Sequence, residues 1–298
     1  MEPQFCDWKS TTVISLRPPP SNFQPPITTI QESGEHPVTI PDSYEPIADL
    51  YDHVDLYRTR RDIDFYVEAA KESGGPVLEV GCGSGRVLVP TARAGVEVVG
   101  IDASESMLHV CRERLDREAK DVQLRTWLVH QDMRDFDLRR KFKLVTMPFR
   151  PFQHLTTVED QVACLEKVHR HLADGGRLIL DVFNPSLEAL VSENLGKEVG
   201  DEPEFAVPDG RRVLRRFRII RRDLANQINH VELLYYVTNP DGRTETLVHA
   251  FQMRYLFRFE IEHLLARNGF TVQQVYSDYD RSPYGTKYPG ELIVEATK

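Results

Sequence analysis

From Pro76 onward, short runs of β-branched and apolar residues alternate with stretches whose apolar positions recur every three or four residues. The runs are VLEV from Val77, VEVVGID ending at Asp102, VQLRTWLVH ending at His130, FKLVTM ending at Met147 and RLILDVF ending at Phe183. Helices are predicted from Ser84, from Ser104 and from about Thr157. The third opens with a capping box, Thr156-x-x-Glu159, carries an apolar stripe at Val162, Leu165, Val168 and Leu172, and is stopped by Gly175-Gly176. Strands that alternate with helices in this way predict βαβ units and a doubly wound α/β sheet.

After Asn184-Pro185 the rhythm changes to RRVLRRFRII, HVELLYYVT and ETLVHAFQMRYLF, with Asn239-Pro240-Asp241-Gly242 as a hairpin signal between the last two. This predicts a three-stranded antiparallel insertion. The earlier rhythm returns with a helix through Ile261, Leu264 and Leu265, a stop at Gly269, and strands FTVQQVY and ELIVEAT. Toward the N-terminus, Ile47, Leu50, Tyr51 and Val54, then Ile63, Tyr66, Val67 and Ala70, recur at helical spacing. Nine of the 19 prolines fall within the first 46 residues, among Ser, Thr, Gln and Glu; that composition buries too little apolar surface to offset ordering entropy. The expected organisation is a disordered tail over 1–42, cap helices over 43–75, a ligand-binding core over 76–184, the insertion over 185–255 and completion of the core over 256–298.

Composition narrows the partner. With 37 Lys+Arg against 46 Asp+Glu the net charge is −9, which repels nucleic acid and anionic membrane surfaces and favours a small molecule. No apolar run approaches the ~20 residues of a membrane helix. Cys6, Cys82, Cys111 and Cys164 are too dispersed for a zinc site or a disulfide framework. The start of the chain lacks the pattern of a secretory signal, so a cytoplasmic location is expected.

The chemistry concentrates where Val77-Leu-Glu79-Val breaks into Gly81-Cys82-Gly83-Ser-Gly85-Arg86. Alternating glycines let the backbone approach a ligand closely, and Glu79 stands at the carboxyl end of a strand, where open α/β sheets bind ligands. A carboxylate there repels a pyrophosphate and favours an ammonium or a sulfonium. Asp102, 21 positions beyond Gly81, is suited to both hydroxyls of a ribose. His130-Gln-Asp132-Met133 offers a carboxylate to an exocyclic amine. Together these residues describe an adenosine joined to a positively charged zwitterion.

E-x-G-x-G-x-G, G-I-D-x-S-x-x-M-L and Q-D-M in this order resemble the class I S-adenosylmethionine-dependent methyltransferases, from about Tyr44 to the C-terminus. The resemblance implies a Rossmann-like sheet of seven strands, the last antiparallel, and S-adenosylmethionine as cofactor. It also implies a cradle of Gly81, Cys82, Gly83 and Gly85 for the methionine part. Glu79, Asp102, Ala103 and Met107, together with Asp132, Met133, Met147 and Tyr51, would complete the cofactor site. Each has a structural reading beside it: Gly83 as a turn, Asp102 as a helix cap, Met107 as core.

Within that family the amino-sugar N-methyltransferases are the most similar in pattern, through Tyr51-Asp52 and the His154-Leu155 that follows the fourth strand. That similarity makes His154 the candidate base for a small polar acceptor methylated at nitrogen or oxygen, with Tyr51 and Tyr66 shaping the pocket. Met147-Pro148-Phe149 departs from the motif of base-amine methylation. The arginines between Arg211 and Arg222 pull the other way: strand alternation puts Arg212, Arg216, Arg218 and Arg222 on one face, as an RNA methyltransferase or an anionic acceptor would use them. Against this, the same face can simply pair with acids such as Glu232. Asp181 and Asn184 are too few to make a metal site. The insertion is expected to cover the site or to form a homodimer, and a cofactor-binding scaffold without turnover is the remaining alternative.

Overall fold

The computed structural model describes residues 42–200 and 202–298; the tail expected over 1–42 lies outside them except for Asp42. Three helices, α1 (Ala48–Tyr51), α2 (Asp55–Arg58) and α3 (Asp62–Ser73), precede β1 (Val77–Val80). The core continues with α4 (Leu88–Arg93), β2 (Val98–Asp102), α5 (Glu105–Asp116), α6 (Lys120–Leu124), β3 (Thr126–His130) and β4 (Phe142–Met147). A 3-10 turn at Pro151–His154 leads to α7 (Val158–His171), β5 (Leu172–Phe183) and α8 (Leu187–Val191). Then follow β6 (Phe205–Ala206), β7 (Arg212–Asp223), β8 (Ile228–Thr238) and β9 (Thr244–Arg254), and finally α9 (Arg258–Arg267), β10 (Thr271–Tyr276) and β11 (Glu291–Thr297).

Seven strands form one sheet in the order β10-β11-β5-β4-β1-β2-β3, with β11 antiparallel to both of its neighbours. This is the doubly wound sheet expected from the sequence. Chain order reverses between β1 and β4, so the loop after β1 opens at the switch point where such sheets hold ligands. Both faces are covered, which is why the strands read as near-continuous apolar runs. Val77, Val98, Leu144 and Ile179 pack under α3, α4 and α5 on one side. Leu78, Val80, Val145 and Leu180 pack under α7 and α9 on the other.

The insertion is a sheet of four strands, β6-β7-β8-β9; the two-residue β6 is too short to leave a periodic signal. Its inner face, through Val213, Leu233, Tyr235 and Val237, buries Ile47, Leu50, Val54 and Tyr57 of the N-terminal helices. A register shift between Ile219 and Arg221 corrects the arginine reading. The extra residue reverses the alternation, so Arg222, opposite Asn229, leaves the face that carries Arg212, Arg216 and Arg218.

Four local expectations shift. The first core helix begins at Leu88 rather than Ser84, because the chain is still turning from the glycine loop, where Gly85 N–H is free only for Cys82 O (2.9 Å). The segment 122–124 is helical and its strand starts at Thr126. The cap of α7 is Thr157, whose Oγ1 accepts from Asp160 N, one residue later than the box predicted. That helix ends at His171, and Gly175-Gly176 lie within β5, where the pairing partner jumps from Leu172 to Arg177.

Candidate active site

At the end of β1 the backbone turns through three left-handed glycines, Gly81 (φ +73), Gly83 (φ +52) and Gly85 (φ +77). At the outer two, side chains are excluded twice over. A Cβ on Gly81 would stand 2.5 Å from Pro151 Cβ and one on Gly85 2.5 Å from Cys111 Sγ. Gly83 meets only Met107 Cε at 3.4 Å, and its N–H donates to Oδ2 of Asp102 (2.7 Å). The other oxygen of Asp102 accepts from Ser104 N (2.8 Å), while Ser104 caps α5 through Met107 N. The structure therefore brings Gly83, Asp102, Ala103 and Met107 together, with Met107 buried.

Glu79 is buried beneath this loop, and burial pushes its carboxyl up from 4.5 to about 8 although the Arg86 charge opposes the shift. Burial also raises Asp102, against the amides of Ser104, Gly83 and Ala103 that hold its ionised form. Cys82, Met133 and Met147 place their side chains in the hydrophobic core or against it. Asp132 is engaged by Arg134, which reaches Oδ2 at 2.6 Å and whose own amide donates to Oδ1 at 2.8 Å.

Two acids of the N-terminal segment fasten it to this loop. Asp42 accepts from Ser104 Oγ (2.9 Å), Ser106 Oγ (2.8 Å) and Ser106 N (3.0 Å). Asp52 accepts from Ser84 Oγ (2.6 Å) and pairs with Arg114. The residues between them form a wall facing the inner face of the insertion. Ring follows ring: His154 to Phe251 (5.2 Å), Phe251 to His249 (5.0 Å), His249 to Tyr44 (4.3 Å), Tyr44 to Tyr51 (6.2 Å), Tyr51 to Tyr57 (4.6 Å) and Tyr57 to Phe149 (5.1 Å). Phe149 and His154, the two ends of this ring circuit, belong to one segment after β4.

That segment is strained. Phe149 and Arg150 have φ of +66 and +70, conformations costing about 1–3 kcal/mol for such residues and typical of functional sites. The turn is held by Asp181, which accepts from Phe149 N (2.7 Å), and by buried Gln153, which donates to Arg254 O (2.9 Å) at the end of β9. His154 itself is neutral across the physiological range, burial lowering its pKa from 6.5 to about 4.

Around the circuit, arginines and acids neutralise one another. Arg86 is bidentate on Asp62 (2.6 Å to each oxygen), Arg60 reaches Glu291 (2.9 Å) and Arg150 the other oxygen of Glu291 (2.9 Å). Asp181 is further taken up by Tyr66 (2.7 Å) and Tyr279 (3.1 Å). Tyr66 thus supports the network rather than the ring circuit. On β7, Arg212 pairs with Glu204, Arg215 with Glu202 and Arg218 with Glu232, and Arg222 is spent on Ser192 O. Of the four arginines expected on one face, Arg212 and Arg218 pair with acids, whereas Arg216 donates to the carbonyls of Glu202 and Arg215, and Arg222 lies on the other face, so the expected four-arginine stripe is broken among the described residues.

Asp42, Phe149 and His249 escaped the sequence reading. Each acquires meaning only from a partner distant in the chain, and only the run of Tyr44, Tyr51 and Tyr57 at intervals of six to seven residues hinted at the wall.

Residues 77–176 match the model of a methyltransferase domain. The chain is 28% identical to the cypemycin N-terminal methyltransferase of a Streptomyces species over 222 residues, 74% of this chain and 82% of that one. It is 32% identical to the dTDP-3-amino-3,6-dideoxy-alpha-D-glucopyranose N,N-dimethyltransferase of Streptomyces fradiae over 141 residues, 45% of this chain and about half (52%) of that relative. Among solved structures, the SAM-bound amino pentose methyltransferase CalS10 of Micromonospora echinaspora superposes with a TM-score of 0.58 at 25% identity, covering 82% of this chain and 91% of that one. Residues 77–176 thus form a methyltransferase domain, and the chain is an S-adenosylmethionine-dependent methyltransferase with a Rossmann-like fold.

The site fits S-adenosylmethionine on the chemistry of its donor set. Glu79 is a buried carboxylate and Asp102 a half-buried one, neither with an ion-pair partner among the described residues, and a ligand bringing positive charge and hydroxyl donors relieves both. Among the described residues no group of His, Cys, Asp and Glu is arranged to hold a metal.

Proposed function

We propose that this methyltransferase acts on the amine of a small polar molecule enclosed by the ring circuit. Glu79 would take the cofactor's ammonium and Asp102 its ribose, with Gly81, Gly83, Gly85 and Ala103 supplying close backbone and Met107 and Tyr51 apolar walls. Asp132 serves the adenine once its bond to Arg134 is shared. Cys82, Met133 and Met147 would shape the site by packing. When bound, the cofactor supplies an electrophilic methyl group on a sulfonium. The protein's own task is to present a nitrogen lone pair in line with it and exclude water.

The observation that carries this reading is a neutral His154 set in an aromatic enclosure. A neutral imidazole accepts a hydrogen bond from an amine N–H and fixes the direction of the lone pair. With its pKa lowered by burial to about 4, it is an orienting acceptor more than a strong base. The inner face of the insertion forms part of the enclosure, which supports a covering role for residues 185–255; a homodimer would have to use the outer face. Relatives named for an N-terminal peptide amine and for amino sugars support an amine. The buried free thiols Cys82, Cys111 and Cys164 support a reducing, cytoplasmic setting.

The test is release of S-adenosylhomocysteine with four acceptors: dTDP-3-amino-3,6-dideoxyglucose, glucosamine, a short peptide with a free N-terminus, and catechol. Turnover with at least one amine is expected. Turnover confined to catechol, or cofactor binding with no turnover of any amine, would refute the amine reading.

A further inference from the structure

His249 is placed on β9 between Leu247 and Phe251, on the inner face of the insertion. Its side chain is 98% removed from solvent by its 2% exposure, yet neither Nδ1 nor Nε2 has a hydrogen-bond partner among the described residues. Burying a polar side chain without partners costs about 1–3 kcal/mol, and native proteins keep such groups where a ligand completes them. Tyr44 (4.3 Å) and Phe251 (5.0 Å) both pack against the imidazole, so the ring is surrounded without being satisfied. His154 flanks the same Phe251 ring at 5.2 Å. The core and the insertion therefore each contribute one neutral imidazole to the enclosure, and the two are close enough for the charge of one to be felt by the other.

We propose that His249 is an acceptor-binding residue that takes a hydrogen bond from a hydroxyl next to the reacting amine. This rests on the amine reading above and deepens it: the preferred acceptor class is a vicinal amino alcohol. An amine on a plain hydrocarbon ring satisfies His154 and leaves His249 orphaned. An amine with a neighbouring hydroxyl satisfies both. A site built to bond a hydroxyl discriminates strongly against the analogue that lacks it, because the buried group is then left unpaired. No new bond-making step is involved. The nitrogen pair forms the N–CH3 bond as the S–CH3 bond breaks toward sulfur, and the surplus proton leaves the nitrogen whichever acceptor is used.

The experiment compares trans-2-aminocyclohexanol with cyclohexylamine as acceptors for the full chain, its His249→Phe and His249→Gln variants, and His154→Phe. Retention of melting temperature and of S-adenosylhomocysteine affinity confirms that each variant is folded. The wild type should favour the amino alcohol by about tenfold to a hundredfold in kcat/KM, mainly through KM. His249→Phe should erase that preference while cyclohexylamine turnover persists, His249→Gln should restore part of it, and His154→Phe should depress both substrates together. Methylation of both amines by the wild type without preference would overturn the assignment of His249 and leave the amine reading standing. A preference that survives in His249→Phe would do the same. If neither amine is methylated although the cofactor binds, both fall.

Discussion

Glu79→Gln should make the cofactor-free protein more stable and the cofactor-bound protein weaker. Glu79 titrates near 4.5 when solvated and at about 8 in the fold. Between those values the folded state holds a proton that the unfolded state has released, so stability falls as pH rises through this window. The slope is about 1.4 kcal/mol per pH unit, which accumulates to about 3 kcal/mol by pH 7. Glutamine is nearly the same shape and carries no charge, and its carbonyl oxygen can accept the Leu88 amide bond that the carboxylate accepts. Calorimetric melting without ligand should show the variant higher by about 6–12 °C at pH 7, with the difference vanishing near pH 4.5. Isothermal titration should show S-adenosylhomocysteine binding about 10- to 100-fold weaker, the value of a charge-assisted bond to its ammonium. A variant that melts at or below the wild type at pH 7, with no pH-dependent gap, would refute the account of Glu79 as a carboxylate held unfavourably for its ligand.

Asp102→Ala removes the acceptor of the Gly83 and Ser104 amides as well as the proposed ribose contact. It should abolish the melting-temperature rise given by S-adenosylhomocysteine at concentrations that saturate the wild type, and an undiminished rise would dismiss the ribose role. Gly85→Ala, with a Cβ 2.5 Å from Cys111 Sγ at φ +77, should cost about 2–4 kcal/mol in urea unfolding. Cys111→Ala in the same chain should recover the part due to the clash and none of the part due to the backbone, so failure of any recovery would count against that contact. His154 and His249 both titrate in the fold at about 4. Because the unfolded chain binds their protons first, stability should decline as pH falls from about 6.5 to 4, and replacing His249 with Phe should flatten that decline in acid-melting curves.

The sheet was legible because β1, β2, β4 and β5 are covered on both faces and so had to be written as β-branched apolar runs. The glycine turn and its bond to Asp102 were legible because a close left-handed backbone turn and a carboxylate that accepts its amide impose residue types at fixed spacing. What escaped depends on three-dimensional proximity. Thr156 and Thr157 both offer a hydroxyl, and only the backbone decides which caps α7. A single bulge in β7 moved Arg222 off its expected face, and such bulges leave no mark on residue identity. Asp42 meets Ser104 across 62 positions. His249 meets Tyr44 across two sheets' worth of chain, so neither could be distinguished from a surface acid or an ordinary strand histidine.

The segment between Asp42 and Tyr57 touches the cofactor loop through Asp42 and Asp52 and the acceptor wall through Tyr44, Tyr51 and Tyr57. On the proposed function, a single short stretch of chain would be shared by two ligands. Free energy gained by seating it against one ligand is available to the other, and by linkage the two affinities must rise by the same factor. Occupancy of the cofactor loop would then prepare the acceptor wall before any acceptor arrives. In kinetic terms the feature favours an ordered sequence, in which the methyl donor binds first and its demethylated product is the last to leave.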